Sequence, residues 1–348
     1  MRTTAETPTT TVRYSAPYPM TTMKTPLKVG MIGVGNHARQ VLIPALEQLP
    51  GDLRLVALAT AHEETARTAG EFYRLPCYVG ADRLIADPNV EAVIIASTGD
   101  HEPLACAALQ AGKPVFNETP AIHSEAGAER IRQLATEKKL TYLVGSCLRY
   151  APVYQKLRAL LHQWRAEEPG SRVFNASYYF GGGHFQNLLL YLAGPVDSVL
   201  LTATEGSGSI TLLRFANGDL GSIRDCGFRN WSPPYERVEI VHPSGLLIAE
   251  DGRAIQFHRT PRSLQPMKMS FTDAGGELFH TTFSLPYGQI QQLHLRGYIP
   301  ELKEFADCVR TGAIPTCGVA DALATLRVGA AARQSREAGG QWVTVRRD

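Results

Sequence analysis

Along the first half of the chain, short apolar runs alternate with amphipathic stretches. Leu27–Ile32, Leu53–Ala59, Ala92–Ser97, Pro114–Asn117 and Thr141–Val144 read as strands. The run from Ala92 to Ser97 is almost continuously apolar, as expected of a parallel strand buried on both faces. Between these runs, His37–Leu49, Glu63–Phe72, Pro103–Ala111 and Ser124–Lys139 carry apolar residues at helical spacing. Pro44 lies inside the first of these and predicts a kink or an early stop. Strand and helix in regular alternation predict a doubly wound parallel sheet.

The pattern changes after Pro152. Val153–Trp164 looks helical, and strand-like runs then dominate: Val173–Phe180, Ile210–Phe215, Leu220–Asp225, Val238–Val241, Leu246–Ala249 and Ala254–His258. Asn217-Gly218 and Pro243-Ser244-Gly245 are hairpin signals between them. Pro300–Thr311 and Val319–Ala338 close the chain as helices. The expected fold class is α/β: a doubly wound sheet over 27–148, then an α+β domain over 149–348 with a large open, mostly antiparallel sheet. Residues 1–26 are Thr-rich and dotted with proline. They read as a disordered tail, with an arm ordered by a partner subunit as the alternative.

Composition narrows the function class. The 348 residues carry 35 Lys and Arg against 33 Asp and Glu, a net charge of +2. That balance argues against a nucleic-acid binder built on a basic surface. No apolar run approaches the roughly 18 residues of a membrane span. The six cysteines form no C-x-x-C pair, which suits reduced thiols and a cytoplasmic location. Metal-ligand spacing is missing among the ten histidines, so no metal is expected.

The first candidate chemistry lies at Lys28–Ala38, K-V-G-M-I-G-V-G-N-H-A. Gly33, Gly35 and Ala38 give G-x-G-x-x-A between a strand and a helix. The first glycine permits the tight turn, the second admits a pyrophosphate, and the small third residue allows close packing. With Asn36 and His37 they open a helix whose free N–H groups suit phosphates. This predicts a Rossmann-type domain holding NAD or NADP. An acid that binds ribose hydroxyls is expected at the end of the second strand, but Thr60, Ala61 and His62 stand there. A 2′-phosphate would meet no repulsion, which leans the reading to NADP, with His62 or Arg67 as its contacts.

The sequence resembles the Gfo/Idh/MocA family over nearly all of 27–348. The likeness rests on residues 28–38, on A-S-T-G-D-H and A-A-L-Q-A-G-K-P-V within 96–115, and on N-E-T-P-A at 117–121. It continues through V-G-S-C-L-R-Y-A-P at 144–152, the glycines 181–183 and the helix from Asp321 to Arg336. The resemblance implies an NAD(P)-dependent oxidoreductase of sugars, polyols or related small molecules. It also implies a homodimer or homotetramer joined through the second-domain sheet. Ser97, Thr98 and His101 would lie on the nicotinamide side, with Glu118 and Pro120 beside the cofactor.

Two departures concern catalysis. The family's E-K-P lysine, which polarises the reacting oxygen, is replaced in Glu118-Thr119-Pro120; Thr119 offers a neutral hydrogen bond only. The family's D-x-x-x-H pattern is also lost. Counting forward from Gly183 puts Asn187 and Tyr191 in its two places; counting back from Gly194 puts His184 in place of the histidine. Tyr191 and His184 are therefore rival proton donors. Arg149, Arg224 and Trp231 are candidate substrate contacts, with a domain-bridging ion pair as the other role open to Arg149. The expected reaction is hydride transfer between nicotinamide and a carbonyl, carbinol, imine or activated alkene carbon of a sugar-like molecule or secondary metabolite, and a catalytically silent sensor of the same fold is the alternative function.

Overall fold

The computed structural model describes residues 25–178, 182–206, 208–225, 236–259, 276–281 and 288–347. Residues 1–24 of the expected tail lie outside the described residues, as does Trp231.

Six parallel strands form the first sheet: β1 (Leu27–Ile32), β2 (Leu53–Thr60), β3 (Cys77–Val79), β4 (Ala92–Ile95), β5 (Val115–Glu118) and β6 (Tyr142–Gly145). Their order is β3-β2-β1-β4-β5-β6, the order of dinucleotide-binding sheets, whose switch point lies between β1 and β4. All residues of β4, β5 and β6 are buried, which explains the unbroken apolar run of β4; β5 ends in the buried Asn117 and Glu118. The crossover helices are α1 (Ile43–Glu47), α2 (Glu63–Tyr73), α3 (Ala81–Ala86), α4 (Glu102–Gln110) and α5 (Glu125–Glu137). The predicted break at Pro44 takes a specific form. Ala38–Leu42 is a π-helical turn in which the Ile43 N–H reaches back to the Ala38 carbonyl, and α1 then starts with the proline in its first turn. Proline has no N–H to give, so the wider register lets the chain continue through it.

The second sheet has nine described strands. They are β7 (Val173–Tyr178), β8 (Val196–Ala203), β9 (Ser209–Phe215), β10 (Leu220–Asp225), β11 (Glu236–His242), β12 (Gly245–Glu250), β13 (Ala254–Arg259), β14 (Gly276–His280) and β15 (Val343–Thr344). The order is β14-β13-β12-β11-β7-β10-β9-β8-β15. Only the β7–β10 pair is parallel among them. The helices α6 (Pro152–Glu167), α7 (Gly182–Ala193), α8 (Gly288–Leu295), α9 (Tyr298–Thr311) and α10 (Val319–Glu337) complete the chain. Leu188 and Leu189 of α7 and Val328 and Ala331 of α10 join the core against this sheet. By contrast, Leu302, Phe305 and Ala306 of α9 pack into the first core, with the Phe305 ring edge-on to Phe116 at 5.9 Å. The chain thus returns to its first domain near its end. No described helix is long and apolar enough to cross a membrane.

Candidate active site

The glycine turn has the geometry its sequence predicts. Gly33 has φ +93°, and a Cβ there would fall 2.5 Å from the Ser97 backbone, so β1 and the end of β4 meet across it. At Gly35 a Cβ would meet nothing within 4 Å. That open space lies over the first turn of the helix, where free N–H groups gather. Ala38 is fully buried beneath the turn. A close-packed first glycine, an open second one and a helix N-terminus together fit a dinucleotide pyrophosphate.

Around this cradle, Asn36 and Thr98 are exposed and Ser97 is partly buried. His37 Nε2 lies 2.6 Å from Glu118 Oε1, joining the glycine turn to the end of β5. Glu118 is nearly buried, and its Oε2 has no hydrogen-bond partner. His101 is buried, with Nδ1 3.1 Å from the Glu118 carbonyl and Nε2 2.6 Å from the Ser97 carbonyl. It fastens β4 to β5 rather than projecting into open space. The Thr119–Pro120 peptide is cis. At the end of β2, the Thr60 hydroxyl donates to the His62 carbonyl at 3.0 Å, while His62 itself is exposed. Arg67 is engaged one turn along α2 by Glu71 at 3.1 Å.

Beside Thr119 lies a cavity of about 410 Å³. The turn Thr119–Ile122, the β6 end, α7 and α10 enclose it, with Gly183, His184, Gln186 and Asn187 on the α7 side. Of the rival proton donors, His184 lines this cavity and Tyr191 does not. Tyr191 is sandwiched between two guanidiniums, Arg158 at 4.4 Å and Arg149 at 5.2 Å from its ring centre. Tyr191 keeps nearly the helical phase of His184 but lies about two turns, roughly 10 Å, farther along α7, beyond the cavity's lining. Burial, first of all, pushes the His184 imidazole below its usual range; the Glu118 charge opposes that and the His37 charge adds to it.

Asn187 has a packing role. Its Oδ1 accepts from Ser146 Oγ at 2.7 Å and from Arg149 Nε, and its Nδ2 donates to Thr325 Oγ1 at 2.9 Å. Arg149 is 3% exposed; it also donates to the Thr316 carbonyl and pairs with Asp321 at 2.7 Å. Of its two roles the structure displays the bridge, since every polar arm of the guanidinium is spent between α7, α10 and the strand-end turn. Arg224 is exposed and alternates with the buried Ile223 and Gly221 on β10. Period-two alternation therefore turns it to the open face of the second sheet, away from His184.

Sequence reading passed over a second layer of groups behind Glu118. Tyr298 packs edge-on to His37 at 5.7 Å. Glu301 of α9 is fully buried with both carboxylate oxygens lacking partners, and burial together with the Glu118 charge raises its pKa well above the carboxylate range. Arg296 holds the buried Glu236 at 2.7 Å, and both act electrostatically on His184. A glutamate among the apolar positions of α9 was the available signal for Glu301.

Residues 27–146 match the oxidoreductase family with an NAD-binding Rossmann fold, GFO/IDH/MocA. The first domain, residues 27–146, is of the Gfo/Idh/MocA family. Myo-inositol 2-dehydrogenase of Thermotoga maritima is 24% identical over 345 residues, 89% of this chain and 96% of that protein. Inositol 2-dehydrogenase of Pseudomonas fluorescens is 34% identical over 148 residues, 41% of this chain and 44% of that protein. Among solved structures, a levoglucosan dehydrogenase in complex with NADH and L-sorbose shares the fold. Its TM-score is 0.78 at 19% identity, over 92% of this chain and 99% of that one. The chain is an oxidoreductase whose first domain has the NAD-binding fold.

Proposed function

We propose that this protein moves hydride between a nicotinamide dinucleotide and a carbinol or carbonyl carbon of a small polyol-like molecule. The observation that carries the reading is His184 and Thr119 lining one cavity beside the dinucleotide cradle. Gly33, Gly35, Asn36, His37 and Ala38 would hold the pyrophosphate, with Ser97, Thr98, Glu118 and Pro120 toward the nicotinamide. Bound there, the dinucleotide supplies the hydride acceptor or donor. Because Thr60 and His62 put no carboxylate at the ribose, NADP is the favoured form.

In the oxidising direction, Thr119 donates a hydrogen bond to the substrate oxygen and orients the carbinol. As hydride leaves carbon, the hydroxyl proton passes to neutral His184. Among the described residues lining the cavity there is no ammonium to hold an alkoxide, so the proton leaves together with the hydride. In the reducing direction, imidazolium returns the proton to the carbonyl oxygen. The test is nicotinamide absorbance with a panel of polyols, sugars and hydroxy acids, using NAD and NADP in turn. A change with at least one panel member is expected; a saturable cofactor signal with no change for any member would favour the sensor reading instead.

His37 should matter at the binding step. His37→Ala leaves the Glu118 carboxylate facing the dinucleotide phosphates without its partner. We expect dinucleotide affinity to fall about tenfold, within the range of a charge-assisted hydrogen bond. Nicotinamide fluorescence titration of the two proteins checks this.

A second copy of the chain is the partner we propose for the open face of the second sheet. Val241, Val173 and Leu220 are direct cross-strand neighbours there, 39%, 41% and 48% exposed. Ile210 and Leu212 extend this apolar area on β9. Contiguous exposed apolar surface of this kind marks association. Leu212→Glu combined with Leu220→Glu is expected to convert the oligomer to monomers in light scattering, with thermal unfolding nearly unchanged.

A further inference from the structure

The charges of the cavity beside Thr119 point to its substrate class, an inference that rests on the oxidoreductase reading above. At about 410 Å³ the cavity lies within the ~300–1,000 Å³ of small-molecule sites. Ala322, Thr325, Leu326, Gly329 and Arg333 form its α10 wall, and their spacing keeps them on one helix face. Gly329 leaves the wall low. A Cβ there would stand 3.7 Å from Arg333 Nη1 and 3.8 Å from Gln186 Oε1, so the guanidinium and the amide gather over one patch.

The lining is unevenly charged. None of its residues is acidic. The carboxylates nearby are already held, Glu118 by His37 at 2.6 Å and Asp321 by Arg149 at 2.7 Å. Ser146, Asn187 and Thr325 spend their polar groups on one another. Arg333 forms no ion pair among the described residues. Besides the lone guanidinium of Arg333, the lining holds the Gln186 amide, the Thr119 hydroxyl and the His184 imidazole, whose pKa burial lowers. The guanidinium stands on the α10 wall of the cavity and Thr119 on the turn after β5.

We propose that the cavity takes a monoanionic hydroxy compound, a small polyol acid or sugar acid, with its carboxylate on Arg333 and its reacting carbinol toward His184 and Thr119. The planar fork of arginine matches a carboxylate with two parallel hydrogen bonds. Gln186 adds a neutral donor. A neutral polyol would leave the exposed guanidinium to water and would gain nothing from its charge.

The experiment is calorimetric titration of the dinucleotide-saturated full chain with matched acid and neutral probes: D-gluconate against D-glucitol, D-glucuronate against D-glucose, and D-glycerate against glycerol. In at least one pair the acid is expected to bind tighter by about tenfold or more. Arg333→Gln should remove that preference and leave the neutral member unchanged, and Arg333→Lys should restore part of it. Equal binding within every pair, binding of no probe, or a preference that survives Arg333→Gln would overturn the proposal. Nicotinamide absorbance separates the two claims. Hydride transfer with equal kcat/KM for acid and neutral members keeps the oxidoreductase reading and removes the anion site. An acid that binds through Arg333 with no absorbance change in any pair does the reverse.

Discussion

His184→Ala is expected to lower kcat by about 10²–10⁴, the usual contribution of a positioned general acid or base, while dinucleotide affinity stays near that of the parent. The argument is positional. His184 lines the cavity that Thr119 also lines, and no lysine stands there to stabilise an alkoxide in its place. Tyr191→Phe serves as the paired control and should retain kcat within about threefold, because that phenol lies outside the cavity between Arg149 and Arg158. The pH profile carries a sign as well. Burial moves His184 below the ordinary imidazole value of 6.5, so the ring is neutral and basic at pH 7. Oxidation should be flat near neutrality and fall only as pH drops through a value below 6.5. Reduction, which needs the imidazolium, should rise over the same interval. Steady-state kinetics in both directions check both statements. A kcat for His184→Ala within threefold of the parent would reject the assignment.

Arg149→Ala is expected to cost about 3 kcal/mol of stability, the low end of the ~3–5 kcal/mol for breaking a buried pair. The deletion strands the Thr316 carbonyl and removes one of the two donors to Asn187 Oδ1, leaving it Ser146 Oγ. Asp321 is 35% exposed and recovers water, which holds the loss below the upper end of the range. The midpoint of urea unfolding should drop, and cofactor affinity of the folded fraction should be preserved. A stability change under about 1 kcal/mol would mean that the bridge contributes little.

Much of the architecture is legible in the chain itself. The parallel strands are buried on both faces, so their apolar runs stand out, and the glycine turn announces both its strained backbone and its open side. Other elements leave weaker traces. β8 reads V-D-S-V-L-L-T-A, with burial that follows no strict alternation, because its partly buried positions meet α10 as well as the sheet. The return of α9 to the first core depends on where a distant helix lands, and local periodicity does not encode that. The same limit governs the site. Choosing His184 over Tyr191, which share nearly one face of α7, requires knowing how far along the helix the cavity reaches, and local sequence does not encode that. Arg149 and Asn187 look like substrate or catalytic groups until Asp321 and Thr325, both far along the chain, are brought beside them. Arg333 is one arginine among several on α10 until Gly329 opens the wall in front of it.

The measurement that tests the central claim most directly is a nicotinamide fluorescence titration of the intact chain with NADPH and with NADH, alongside Gly35→Leu. Saturable binding of at least one cofactor, tighter for NADPH, and its loss in Gly35→Leu with the fold retained by circular dichroism, is the predicted result. A flat titration with both cofactors, or binding that Gly35→Leu leaves untouched, would contradict a dinucleotide seated on this glycine turn and the chemistry built upon it.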